Sequence, residues 1–220
     1  NFMKKLTVSG LFLAGVLLCS GCGVKSDADT TTLYVEGSGK IEELTVEAFD
    51  KDYYDEEELK TYIDKEVDSY KKDGGTGNVK VKKCAVKDQV VKLLMEYDSA
   101  ESYASFNDTE FYTGTILKAQ ADGYEFDLDF YAPQKENTKK EKVSDTEETV
   151  GSVQEAVTIS DVLAEDDNKV VILQQDTAVE VKGEILYVSE HVEVTGKNTA
   201  NVSGEGADST DAKPAYIIYK

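Results

Sequence analysis

Residues 55–97 read DEEELKTYIDKEVDSYKKDGGTGNVKVKKCAVKDQVVKLLMEY, and their first half carries the clearest helix signal in the chain. Asp55 is a suitable N-cap, and Glu58 follows it at the spacing of a capping box. Acidic residues fill the first turn and lysines the last, which favours the helix dipole, and Gly74-Gly75 ends the segment. Five apolar residues recur at helical spacing: Leu59, Tyr62, Ile63, Val67 and Tyr70. Because burying a large apolar side chain is worth about 1.5–3 kcal/mol, we expect this amphipathic helix to pack on a sheet.

The second half of the same stretch, residues 78–97, predicts a β-hairpin with its turn near Lys87–Gln89. Alternate residues of its second arm form the strongest core-facing row: Val91, Leu93, Met95 and Tyr97. An earlier hairpin is predicted around a turn at residues 37–39. Its alternating apolar residues are Leu33 and Val35 on one arm, and Leu44, Val46 and Ala48 on the other.

The rest of the chain predicts short helices and strands. Ser99 and Thr115 are natural N-caps for two short helices, and Gly123 would end the second, although its Asp-Gly pair is also compatible with a hairpin. Residues 124–131 alternate as a strand, and several short strand-like runs extend from residue 169 to the C-terminus. The predicted fold class is α+β: antiparallel β-hairpins with one amphipathic helix packed on the sheet, followed by a β-rich C-terminal part.

The composition is strongly acidic and contains no arginine. The chain has 220 residues, with 44 Asp and Glu against 24 lysines, and a formal net charge of −20. Nucleic-acid binders need a basic surface, and arginine is the preferred partner of phosphate. The composition therefore argues against nucleic acid as a partner, and against attraction to anionic lipid through charge.

The N-terminal segment is typical of a secretory leader. Met3–Lys5 supplies positive charge, and residues 6–18, LTVSGLFLAGVLL, form an apolar stretch of 13 residues. Because about 20 apolar residues are needed to span a bilayer, this shorter run favours a signal peptide. The small residues Ser20 and Gly21 then precede Cys22.

Residues 20–22 resemble the last three positions of the lipobox of bacterial lipoproteins, and Cys19 stands where that motif usually has leucine. The resemblance implies that the Cys22 thiol carries a diacylglyceryl group and that signal peptidase cuts before it. Because two acyl chains hold a protein stably at a bilayer, we expect an extracytoplasmic protein, lipid-anchored to the outer face of the cell membrane. The lysine-only, acid-rich composition is similar to that of lipoproteins from low-GC Gram-positive bacteria.

The predicted organisation follows from this leader and from a change in composition. Residues 134–155 contain only three apolar residues, which is typical of a linker or a disordered insertion. The predicted parts are a removed signal peptide (1–21), a lipidated tether (22–32), an α+β domain (33–131), a polar linker or disordered insertion (132–156) and a β-rich C-terminal unit (157–220). Because a unit of 64 residues buries little surface alone, we expect the C-terminal unit to pack on the first domain.

Cysteine and histidine chemistry is sparse. A metal or redox role for Cys19 and Cys22 would require a second ligand pair or a βαβ context, and neither accompanies them. Cys84, the remaining thiol, lies in a strand pattern and is interpreted as a small buried hydrophobic side chain. His191 is the single histidine, whereas histidine-based metal sites need several ligands. We therefore predict no catalytic residue and no cofactor.

Three other motifs have ordinary structural interpretations. Gly37–Lys40 lacks the spacing of a phosphate-binding loop. Ser69–Lys72 matches the S-x-x-K motif of penicillin-binding proteins, but it lies at the end of a predicted helix, so we interpret the match as chance. The densest acidic cluster supplies the only weak metal candidates, Asp50, Asp52 and Asp55, but it departs from a calcium loop at its fifth and sixth positions. Helix capping and the helix dipole explain most of this acidity.

The sequence therefore predicts a non-enzymatic, membrane-anchored lipoprotein that binds a partner or forms part of the cell envelope. The membrane is its one identifiable partner, through Cys22, and its ligand or protein partner is unknown. The alternatives are a small extracytoplasmic hydrolase that uses carboxylates and a solute-binding lipoprotein. The 13 tyrosines could line a recognition surface, because tyrosine supplies amphipathic contact area at a low entropic cost.

Overall fold

The chain divides into two compact units. A computed structural model describes three ranges, residues 25–133, 154–203 and 213–220. The first unit comprises the chain up to Tyr34 and residues Lys40–Thr109. The second unit comprises Val35–Gly39 and Glu110–Lys220. Thirteen strands and four α-helices lie within the described ranges, so the predicted α+β class is confirmed.

The first unit is organised around four strands: β1 (Thr32–Val35), β2 (Ile41–Ala48), β3 (Val79–Lys87) and β4 (Val90–Tyr97). They lie side by side in the order β1-β2-β4-β3. The β4 strand pairs antiparallel with both β2 and β3. All four residues of the core-facing row predicted on β4 are buried, as expected for a strand with partners on both sides.

The turn between β3 and β4 has two residues, Asp88 and Gln89, within the predicted segment. Both have positive φ angles, 51° and 61°. This left-handed pair matches the twist of an antiparallel hairpin, although asparagine and glycine adopt it at lower cost. Near the start of β3, a bulge between Val81 and Lys83 shifts the register of its pairing with β4.

The first helix, α1 (Glu56–Lys72), begins at the predicted cap. The Asp55 carboxylate accepts hydrogen bonds of 2.9 Å from the N–H groups two and three residues further on. The Glu58 side chain makes no hydrogen bond within the described residues, so the predicted capping box is only half formed. The helix contacts β3 and buries Ile63 and Val67, whereas the other members of its apolar stripe are half-buried.

The second helix, α2 (Ala100–Asn107), brings aromatic side chains onto β4. Ser99 caps it through a reciprocal box with Ser102. The Tyr103 ring meets the Tyr97 ring edge-on, with centroids 4.9 Å apart, and the Phe106 ring lies 5.9 Å from Tyr97. The helix is therefore held to the sheet by an aromatic cluster.

The second unit contains nine strands: β5 (Phe111–Thr115), β6 (Phe130–Pro133), β7 (Gln154–Val157), β8 (Lys169–Leu173), β9 (Thr177–Val181), β10 (Ile185–Ser189), β11 (Val192–Val194), β12 (Thr199–Val202) and β13 (Ala215–Tyr219). Six of them form a sheet in the order β5-β8-β13-β10-β6-β7. All five residues of β13 are buried, as expected for an inner strand covered on both faces. The other three pair antiparallel in the order β11-β12-β9.

Two short helices complete the second unit, α3 (Ile116–Ala121) and α4 (Ile159–Val162). Thr115 caps α3 as predicted, by accepting a hydrogen bond of 3.1 Å from the Lys118 N–H group. Both helices contribute to one hydrophobic core, whose buried members are Ile116, Ala119, Phe126, Phe130, Val162, Val170, Ile172, Tyr216 and Ile218.

The structure differs from the sequence prediction between residues 110 and 157. Residues 110–131, predicted to belong to the first domain, lie in the second unit, because β5 pairs with β8 and β6 pairs with β10. Residues 124–129 are not a strand, although Phe126 packs into the core as their alternation suggested. Residues 132–133 of the predicted linker belong to β6 and residues 154–156 belong to β7, because the backbones of these two strands pair with each other. The rest of that linker from residue 134 lies outside the described residues.

Candidate functional site

The clearest candidate for a binding surface is the segment between β2 and α1, here called the aromatic loop (residues 49–54). Tyr53 is 77% exposed and Tyr54 is 40% exposed, and these are two of four exposed large hydrophobic side chains in the described ranges. The Tyr54 ring lies 4.9 Å from the rings of both Phe49 and Tyr53, measured between centroids. The three rings therefore form one continuous aromatic surface with Tyr53 outermost.

Backbone hydrogen bonds fix both ends of the aromatic loop. The Phe49 N–H group donates to the Gln89 carbonyl at 2.7 Å, which ties the loop to the turn between β3 and β4. The Tyr54 N–H group donates to the Lys51 carbonyl at 3.0 Å, and Asp55 then caps α1. A loop held at both ends loses less conformational entropy when it binds a partner.

The acidic residues around this loop separate into different structural roles. Asp55 is the helix cap, and Asp50 pairs with Lys51 at 3.6 Å. Among the residues that the structure describes, no group of three or more His, Cys, Asp or Glu side chains could hold a metal ion. The three weak metal candidates Asp50, Asp52 and Asp55 are thus not brought together as a ligand set.

A second candidate is a buried carboxylate that the sequence analysis did not select. Glu43 on β2 is only 8% exposed. Its two carboxylate oxygens accept hydrogen bonds from different tyrosine hydroxyls, from Tyr103 at 3.1 Å and from Tyr97 at 3.3 Å. Within the described ranges Glu43 forms no ion pair, so these hydroxyls are the groups that compensate its burial.

In this buried carboxylate cluster (Glu43, Tyr97 and Tyr103), electrostatics favour the protonated forms of Glu43 and Tyr97. Burial raises the pKa of the Glu43 carboxyl, and the two tyrosine hydrogen bonds lower it in part. Burial, together with the nearby Glu43 charge, raises the pKa of Tyr97 well above its ordinary value. Both shifts disfavour the charged form of the group, so Tyr97 stays a hydrogen-bond donor to Glu43.

The next carboxylate along the same face of β2 is Glu47, and its distance from Glu43 can be compared with that of a catalytic pair. Burial also raises the pKa of Glu47, a half-buried carboxylate on the same face of β2 as Glu43. Four strand residues separate it from Glu43, which is roughly 13 Å at about 3.3 Å per residue. Glycoside hydrolases place their two carboxyl groups about 5–9.5 Å apart. Glu43 and Glu47 are therefore too far apart to act as such a pair.

Cys84 departs from its predicted environment. Its side chain is half-buried rather than fully buried, and charged side chains of α1 lie close enough to affect its thiol. Burial raises the pKa of the Cys84 thiol, and the nearby Lys60 ammonium lowers it in part. Because the thiolate is the reactive form, the raised pKa makes Cys84 a weak nucleophile.

The remaining predicted residues belong to other parts of the chain. His191 is exposed, with a φ of 63°, in the turn between β10 and β11 of the second unit. Cys84 belongs to the first unit. Cys22, the predicted lipidation site, lies outside the described residues, as does Cys19.

An open hollow of about 580 Å³ lies in the second unit, lined by residues 164–169 and Lys220. Its acidic side chains come from one exposed turn, Glu165–Asp167. Because these acids are exposed, the hollow resembles a solvated surface more than a catalytic pocket.

Comparisons with family models, with curated proteins and with solved structures find no match to this chain. No helix in the described ranges has the length and apolar character needed to cross a membrane.

The sequence contained a partial signal for each candidate. Glu43 shares a strand face with Ile41, which is fully buried, so the strand alternation placed Glu43 toward a core. The apolar residues Leu44 and Val46 alternate on the opposite face of β2, and this stronger pattern predicts that Glu43 is exposed. The aromatic loop was recognised only for its acids, because an exposed and a buried tyrosine look alike in a sequence.

Proposed function

We propose that this chain is a lipid-anchored extracytoplasmic protein that binds a partner and does not catalyse a reaction. The observation that carries the binding role is the aromatic surface of Phe49, Tyr53 and Tyr54. Tyrosines exposed to this extent on a fixed loop are typical of recognition surfaces, where they contribute large contact areas.

The anchoring role rests on the pattern at the N-terminus. A positive segment, a short apolar run and the Ser20-Gly21-Cys22 motif occur in the order found in bacterial lipoproteins. A diacylglyceryl group on Cys22 would supply two acyl chains, which is enough for stable attachment. The net charge of −20 would repel an anionic bilayer, so the lipid would be the source of membrane affinity.

The proposed role also suits the finer arrangement expected for the fold. In that arrangement, antiparallel hairpins carry one amphipathic helix on the sheet, and a β-rich C-terminal part follows. Such a scaffold would hold the aromatic loop between a strand and a helix cap. Sites supported by rigid elements keep their binding geometry better than sites on free loops.

Anchoring can be tested with two cysteine variants of the full chain in a Gram-positive host. Cys22→Ala should abolish incorporation of labelled palmitate and move the protein from the membrane to the soluble fraction. Cys19→Ala is the matched control, because it removes the neighbouring thiol and should leave labelling and membrane attachment intact.

Two results would contradict the proposal. One is a Cys22→Ala protein that still carries lipid and stays with the membrane. The other is wild-type protein in the cytosol with its leader attached and the Cys22 thiol unmodified, which mass spectrometry would detect.

A further inference from the structure

We propose that the aromatic loop binds a cationic polypeptide segment, rich in lysine or arginine. The inference rests on the proposed binding function and adds the chemistry of the partner. Two features meet at this loop: an exposed aromatic surface and an excess of negative charge on the chain immediately around it.

The aromatic surface can accept cationic side chains. The Tyr53 and Tyr54 rings are nearly perpendicular, at 77°, so their faces point in different directions. A lysine ammonium or an arginine guanidinium is attracted to a ring face within about 6 Å of its centroid, and arginine also stacks on it. Two faces at this angle suit a segment with several cationic side chains better than a single flat ligand.

The charge along the loop and the first turn of α1 is almost entirely negative. Residues 49–58 carry six carboxylates and one lysine, Lys51, which is already paired with Asp50. Of these carboxylates, Glu56 pairs with Lys60 at 2.6 Å, and Asp55 is engaged in capping. Asp52 and the exposed Glu57 and Glu58 remain to face a partner.

This combination selects against other classes of partner. Nucleic acids and anionic lipid headgroups would be repelled by the same carboxylates. A neutral glycan could stack on tyrosine but would gain nothing from the surrounding charge. A cationic segment gains both the ring contact and electrostatic steering, so its binding should weaken as salt is added.

The proposal can be tested by titrating full-length protein, held in neutral detergent micelles, with a labelled octa-arginine peptide. We expect saturable binding that weakens with salt. Tyr53→Ala with Tyr54→Ala should weaken binding about tenfold, which corresponds to about 1.4 kcal/mol. Leu117→Ala is the matched control, because Leu117 is 55% exposed in the second unit and should have no effect.

A second pair of variants separates this site from overall charge. Asp52→Asn with Glu57→Gln removes two exposed carboxylates of the site and should weaken binding and reduce its salt dependence. Asp166→Asn with Asp167→Asn removes the same charge from an exposed turn of the second unit and should change binding much less. Far-UV circular dichroism of each variant checks that it is folded.

Three results would overturn the inference. They are unchanged binding in the double tyrosine variant, equal weakening in the two charge-removing variants, and stronger binding of a neutral oligosaccharide than of octa-arginine. The cysteine experiment is independent of this one. A Cys22→Ala protein that keeps its lipid and its membrane attachment, with intact peptide binding, would reject only the anchor. The expected loss of membrane attachment without any effect of the tyrosine variants on peptide binding would reject only the cationic partner.

Discussion

Replacing Tyr103 by phenylalanine should destabilise the first unit by an amount that depends on pH. The substitution keeps the ring that packs on Tyr97 and removes only the hydroxyl that donates to Glu43 at 3.1 Å. A hydrogen bond to a charged group is worth about 1.5–3 kcal/mol, and a neutral one about 0.5–1.5 kcal/mol. The loss should therefore be about 1 kcal/mol larger when Glu43 is ionised than when it is protonated.

The sign of the pH dependence follows from the raised pKa of Glu43. A group whose pKa is raised on folding binds its proton more tightly in the folded state. Its stabilising contribution is complete below the ordinary value of 4.5 and is lost as the pH rises through the folded pKa. Because the Tyr103 hydroxyl stabilises the ionised form, removing it should steepen this loss.

Urea unfolding at pH 5 and pH 8 would measure the effect, since the isoelectric point near 4.4 makes a lower pH unsuitable. Far-UV circular dichroism gives the free energy of unfolding, and hydrogen exchange of β4 amides reports on the first unit itself. Tyr53→Phe is the matched control, because it makes the same chemical change on an exposed ring of that unit. The reasoning is refuted if Tyr103→Phe costs the same at both pH values, or no more than the control.

Three further substitutions test the same physical account. Glu43→Gln should flatten the change in unfolding free energy between pH 5 and pH 8, and an unaltered slope in urea titrations would show that Glu43 does not cause it. Gln89→Gly should raise the stability of the first unit by about 1 kcal/mol in thermal melts, because glycine accepts the φ of 61° at no cost. Lys87→Gly is the control, since a glycine within β3 should lower the stability. Asp55→Ala should lower the free energy of unfolding, measured in urea, by about 1 kcal/mol, and Asp55→Asn should lower it less because asparagine is also a good N-cap. An equal loss in the two variants would contradict a capping role for Asp55.

Elements specified by local interactions could be predicted from the sequence. The caps at Asp55, Ser99 and Thr115 each join groups two or three residues apart in the chain. The turn at Asp88 and Gln89 joins neighbouring strands whose alternation was already visible. In each case the stabilising hydrogen bonds involve residues that are close in sequence, so the pattern carries the information.

The division into units could not be predicted in this way. The β5 strand pairs with β8 more than 50 residues further along the chain, and β6 pairs with β10 at a similar separation. Nothing in residues 110–133 alone distinguishes a strand that extends the first unit from one that joins the second. Every residue except proline can donate a main-chain hydrogen bond, so the local sequence says little about which strand will pair with which.

The candidate sites show the same contrast between individual residues. The sequence alone determined the acidic character of residues 50–58, the helix that Asp55 begins and the lipoprotein-like pattern ending at Cys22. Only the tertiary structure decided that Tyr53 is exposed while Tyr97 and Tyr103 are buried around Glu43. Residue type sets what a side chain can donate, accept or carry as charge, but its exposure and pKa depend on the remote segments that exclude water from it.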